Sequence, residues 1–118
     1  SQVQHSLTRN DFYIKLSQQA TVLDCYVERV YGKVRPDAVI VCVYNGKQYF
    51  FLLEVETNGN GHGINIEKYN DFFLSDWRDY FKVKPTIIYV TDKPINKQCS
   101  FEYKILNTNL DDFESIWR

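Results

Sequence analysis

Two long apolar runs dominate the pattern along the chain. They are Arg35-Pro36-Asp37-Ala38-Val39-Ile40-Val41-Cys42-Val43-Tyr44 and Lys47-Gln48-Tyr49-Phe50-Phe51-Leu52-Leu53-Glu54-Val55-Glu56. Both are rich in β-branched and aromatic residues, and only Asn45-Gly46 separates them. Asn-Gly is the strongest short hairpin signal, because a type I′ turn needs φ > 0 at both central residues. The pattern predicts antiparallel strands over 36–44 and 47–56. A two-residue turn also fixes the register: Tyr44 stands opposite Lys47, so paired residue numbers add to 91. Val39, Val41 and Val43 then share a face with Phe50 and Leu52, and Ile40 and Cys42 share the other with Phe51 and Leu53. Strands apolar on both faces are covered on both sides, so helices should flank the sheet.

The remaining periodicities fill in the order of elements. Thr8-Arg9-Asn10-Asp11 has the form of a helix N-cap with an acidic residue three positions later. It predicts a helix over about 9–19, with Phe12, Leu16 and Tyr13 facing inward. Val22 to Tyr31 reads as a strand ended by Gly32-Lys33. After the hairpin, 58–63 is a Gly- and Asn-rich loop. A helix over about 65–81 follows, with Ile66, Tyr69, Phe73, Trp77 and Tyr80 at helical spacing. Pro85 to Thr91 is a strand, Ser100 to Leu106 another, and Leu110 to Trp117 a short helix. The fold class expected is α/β, with an αβββαβ core and a mixed central sheet flanked by helices.

Composition bounds the possibilities. The 118 residues, 44% apolar and 16% aromatic, suit one globular domain rather than a disordered chain. A net charge of −1 excludes a strongly basic nucleic-acid footprint over the whole surface but leaves room for a local patch. Cys25, Cys42 and Cys99 show no paired spacing and read as reduced thiols of a cytoplasmic protein, not as a zinc site. No apolar run approaches the roughly 18 residues that span a membrane, so no membrane partner is expected. A first residue that is Ser and the lack of any Met point to a processed protein or a piece of a longer one. The sequence leaves the oligomeric state open.

The candidate chemistry lies at the open end of the hairpin. The same register brings Asp37 opposite Glu54, with roughly 5 Å between Cβ atoms. Like charges directly opposite in a sheet are destabilising unless something holds them, and a divalent cation such as Mg²⁺ is held by one or two carboxylates. Arg35 pairs with Glu56 in the same register, an ion pair that would neutralise this glutamate. Glu28, on the preceding strand, and His62, in the Gly-rich loop, are weaker candidates. The loop leads into a helix N-terminus, where unpaired N–H groups attract anions.

Pro36-Asp37, a spacer of hairpin length and Glu54-Val55-Glu56, in an αβββαβ order, resemble the PD-(D/E)XK nuclease-like superfamily. The succession Pro36-Asp37-Ala38, Leu53-Glu54-Val55-Glu56 and Glu67-Lys68-Tyr69 is similar, more narrowly, to the plasmid replication-relaxation family, in which such a domain typically follows a DNA-binding winged helix. The resemblance covers nearly the whole chain. It implies that Asp37, Glu54 and the backbone carbonyl of Val55 bind Mg²⁺ or Mn²⁺. The metal would polarise a scissile phosphate and activate the attacking water. The implied partners are DNA and a replication or relaxase protein. The lysine usual at position 56 is replaced by Glu56. Three alternatives are open: an acidic residue serves there, Lys68 on the next helix supplies the missing amine, or the activity has been lost. The resemblance therefore implies a nuclease-like domain of a plasmid or mobile-element protein that is catalytically weak or inactive. An active Mg²⁺-dependent DNA endonuclease and an α/β protein-interaction module unrelated to DNA are the alternatives.

Overall fold

The computed structural model describes residues 2–57 and 65–118, with the side chains of Gln2 and Val3 outside the description. The expectations for the loop 58–63, including His62, lie outside the described residues. Helix α1 (Gln2–Gln19) is followed by β1 (Thr21–Val27), β2 (Ala38–Tyr44) and β3 (Lys47–Glu56). A helical stretch begins as α2 (Ile66–Asp71). Strands β4 (Thr86–Thr91) and β5 (Tyr103–Leu106) and a final 3₁₀ segment, Phe113–Trp117, complete the chain. The five strands form one mixed sheet in the order β1-β2-β3-β4-β5. The first three make an antiparallel meander, while β3, β4 and β5 run parallel. The fold is therefore α/β, as the alternation of patterns predicts.

The hairpin register is the one the Asn-Gly turn dictates. Asn45 and Gly46 sit at φ 53° and 79°, and Tyr44 pairs with Lys47. The ladder keeps this register down to Ala38–Leu53. Both faces are buried, as the doubly apolar pattern requires. One face carries Ile40, Cys42, Phe51 and Leu53 against Phe12 and Leu16 of α1 and Phe113 and Ile116 of the C-terminal segment. The other carries Val39 and Leu52 against Ile66, Tyr69, Phe72 and Phe73.

Three elements depart from the periodic reading. Helix α1 starts six residues before the N-cap signal at Thr8, and Tyr13 is 41% exposed rather than inward. The strand expected over 22–31 ends at Val27, because Glu28 turns into the left-handed region at φ 55°. The helix expected over 65–81 keeps α geometry only to Asp71. It then widens into a π-helical stretch, Phe72–Asp76, and closes as a 3₁₀ turn, Trp77–Asp79. A π turn holds more residues than an α turn, so the inward face slips. Phe72 and Phe73 are both buried, and Phe81 replaces Tyr80, which is 46% exposed.

Candidate functional site

The site forms where β2 begins and β3 ends. Glu54 lies two residues beyond Leu52 on β3, so its side chain projects to the face that α2 covers. Asp37 precedes β2 and leaves the regular ladder. Its backbone N–H donates to the carbonyl of Leu53 at 2.8 Å, and its Oδ2 accepts the N–H of Val55 at 2.6 Å. Asp37 thus brackets Glu54 through both of that residue's chain neighbours. The two acids are adjacent, held by β3's own backbone rather than by a ladder pair.

The second Asp37 oxygen is also occupied. Oδ1 lies 2.7 Å from Nε2 of His5, on the first turns of α1. His5 belongs to the face that buries Phe12 and Leu16, since positions 5, 8, 12 and 16 recur at helical spacing. Extending that period backwards past the N-cap signal at Thr8 would have found it. Arg9, one turn on, lies 3.7 Å from Glu28, which also meets Arg35 at 3.9 Å. Arg35 therefore pairs with Glu28 and not, as expected, with Glu56. The left-handed bend at Glu28 supplies the reason: the Glu28 N–H donates to the Asp37 carbonyl, and Arg35 Nε donates to the Glu28 carbonyl.

Electrostatics follow from this enclosure. Burial raises the Asp37 carboxyl above its ordinary value, against the lowering effect of the Val55 N–H, His5 and Arg9. The Glu54 residue keeps some surface open to solvent, but its carboxyl is enclosed. Burial first, and the Asp37 charge second, push its pKa up to about 8. The Tyr69 hydroxyl and the Asp37 backbone N–H oppose that rise. Tyr69 approaches Glu54 without closing a hydrogen bond of ordinary geometry, and its hydroxyl and that of Tyr89 are buried without partners among the described residues. Sequence reasoning missed both hydroxyls as neighbours of Glu54, since Tyr69 read as a core aromatic and Tyr89 only as part of a strand.

The other predicted residues lie around this pair. Glu56 pairs along the ladder with Thr91 and is partly buried. Lys68 is exposed on α2, one position before the buried Tyr69, and its N–H is capped by Asn65. Among the described residues, the charges acting on the two carboxyls are those of His5, Arg9 and Asp37, with Lys68 not among them. Val55 is buried, with its N–H committed to Asp37.

Whether these residues suit a divalent cation can be judged from the donors. Both Asp37 oxygens already serve protein partners, and burial and the Asp37 charge favour the protonated form of Glu54. Among the described residues no group of three or more His, Cys, Asp or Glu side chains is gathered to hold a metal. Compared with known protein families, curated proteins and solved structures, the chain matches none of them. No helix among the described residues is long and apolar enough to cross a membrane.

Proposed function

We propose that this chain is a nuclease-like domain of the PD-(D/E)XK kind, belonging to a cytoplasmic DNA-processing protein of a plasmid or other mobile element. In this reading it contributes to replication or relaxation while cleaving DNA weakly or not at all. The observation that carries the reading is the way the Asp37 carboxylate is used. An acid at the start of the second strand beside an acid on the third, in a meander followed by a parallel strand, supports nuclease-like ancestry. Yet Oδ1 is engaged by His5 and Oδ2 by Val55. A carboxylate so engaged holds the fold together at the point where hydrolysis would need an open metal ligand. Glu56 in the place of the usual lysine, and Lys68 facing solvent, support the same conclusion. The partners that suit such a module are DNA and a replication initiator or relaxase.

Two measurements test this. Supercoiled plasmid incubated with the protein and Mn²⁺ should show no nicking that Glu54→Ala abolishes. Calorimetric titration with Mg²⁺ or Mn²⁺ should show no affinity at millimolar ion. Nicking that disappears with Glu54→Ala would establish an active endonuclease instead. Immobilised protein should retain a replication initiator or relaxase. Failure to retain either, together with no affinity for DNA, would leave an interaction module unrelated to DNA.

A further inference from the structure

The opposite end of the sheet carries a second candidate site. Some seven residues of β3, about 23 Å of strand, separate Lys47 from Glu54. There a cavity of about 380 Å³ opens between the hairpin end of β3, the start of β4, β5 and the C-terminal segment. That volume is within the range of small-molecule sites, about 300–1,000 Å³. Four of its lining side chains are basic (Lys47, Lys84, Lys104 and Arg118) and one, Glu102, is acidic. The chain as a whole has a net charge of −1, whereas this lining carries more basic than acidic side chains.

Among the described residues none of these lysines is in an ion pair with an Asp or Glu side chain. Among the described residues the only lysine in an ion pair is Lys97, with Glu67 on the far side. Lys47 sits over the Tyr49 ring, 5.1 Å from its centroid, Lys84 Nζ lies over the Phe73 ring on the α2 face, 5.6 Å from its centroid, and Lys104 Nζ donates to the main-chain oxygen of Arg118. Glu102, the one acid, accepts from the Thr86 hydroxyl at 3.4 Å. The wall of the cavity is aromatic and fixed. Trp117 meets Tyr49 edge to face, with centroids 4.9 Å apart. Trp117 also stacks on Tyr44 at 4.0 Å and 6°, and its Nε1 donates to Gln19. A wall already held in place loses little side-chain entropy when a ligand arrives.

Ammonium groups without a carboxylate side-chain partner among the described residues call for an anion, and an aromatic wall calls for a flat, weakly polar body. We propose that this cavity binds a nucleoside phosphate, its phosphate between Lys47 and Lys104 and its base against Tyr49 and Trp117. The ligand is either a free nucleotide or one unit of a single strand, since both present the same base and phosphate. The site stands apart from Asp37 and Glu54, and its existence does not depend on the function proposed for them.

The test uses the whole chain at low salt with three probes: adenosine 5′-monophosphate, a fluorescein-labelled octathymidylate and inorganic phosphate. Binding is followed by anisotropy, by competition and by the indole N–H resonance of Trp117. The nucleotide or the oligonucleotide should shift that resonance. Lys47→Ala and Lys104→Ala should each weaken binding on the order of tenfold, the loss of one charge-assisted contact. Lys97→Ala, outside the cavity, should leave it unchanged. Mononucleotide binding as tight as the oligonucleotide identifies a free nucleotide as the ligand, and much tighter oligonucleotide binding identifies a strand. No binding of either at millimolar concentration overturns the proposal. So does inorganic phosphate binding equally well, or a loss with Lys97→Ala equal to that with Lys47→Ala.

Discussion

Nε2 of His5 lies 2.7 Å from Oδ1 of Asp37, a residue thirty-two positions further along the chain. The other oxygen of the same carboxylate takes the Val55 N–H at 2.6 Å. One side chain thereby ties the start of α1, the entry to β2 and the end of β3. Burial works against a charged Asp37, and these contacts offset part of that cost.

Replacing His5 should therefore be felt at Asp37. His5→Ala removes a contact that lowers the Asp37 pKa, so that pKa should rise further. The partly buried hydrogen bond is worth about 1–2 kcal/mol. Urea unfolding should show a loss of that size, and a carbon-detected titration should show the Asp37 carboxyl moving to higher pH. An unchanged titration would separate His5 from Asp37 in solution.

Glu54 sets a pH dependence whose sign is fixed. In the unfolded chain it gives up its proton near 4.5, while in the folded protein it holds it to about 8. Between those values the folded state binds more protons, so stability falls as pH rises, by up to about 1.4 kcal/mol per pH unit. Above about 8 the group is ionised in both states and contributes no further slope. Glu54→Gln has no proton to lose. Its stability relative to the natural protein should increase steadily from pH 5 to pH 8, read from urea midpoints at matched pH. A difference that stays constant across that window would contradict the assigned cause.

The register that makes these acids neighbours was legible because Asn45-Gly46 admits one tight turn, and β-branched runs on either side leave no freedom to slip. The reading stops at Asp37 for a definite reason. Its backbone bonds Leu53 while its side chain bonds Val55, a local arrangement that alternation cannot encode. Phe12 and Leu16 were legible as core, whereas His5 was not, because the cap-like Thr8 lies inside the helix and bonds the Gln4 carbonyl instead. Arg35 was lost to Glu28 because a positive φ at a glutamate carries no sequence signal. The slip from Tyr80 to Phe81 follows from a π turn, which a fixed period of 3.6 cannot anticipate.

The two orphan hydroxyls next to Glu54 should behave differently from each other. Tyr89 buries its hydroxyl without a partner among the described residues, so Tyr89→Phe should be neutral or stabilising by up to about 1 kcal/mol. Tyr69 also lacks a hydrogen bond of ordinary geometry, yet its hydroxyl lowers the Glu54 pKa. Tyr69→Phe should therefore carry the Glu54 titration above its present value of about 8. Carboxyl resonances of the two variants make the comparison, and a Glu54 titration untouched by Tyr69→Phe would remove that tyrosine from the site.

Two glycines separate backbone strain from crowding. Gly46 stands at φ 79°, and a Cβ there meets nothing within 4 Å. Gly46→Ala should cost about 1 kcal/mol from the left-handed backbone alone, leaving the hairpin register intact. Gly32 stands at φ 62°, but its Cβ would come within 3.3 Å of the Tyr80 hydroxyl. Gly32→Ala carries the same backbone cost and must also displace that ring, which meets Tyr31 edge to face. Thermal unfolding should rank Gly32→Ala as the less stable variant. The titration of Glu54 should be unchanged in Gly46→Ala, because the acid pair depends on register and not on the identity of the turn residue. A shifted Glu54 titration in that variant would mean that the turn, rather than the contacts of Asp37 with Leu53 and Val55, holds the two carboxyls together.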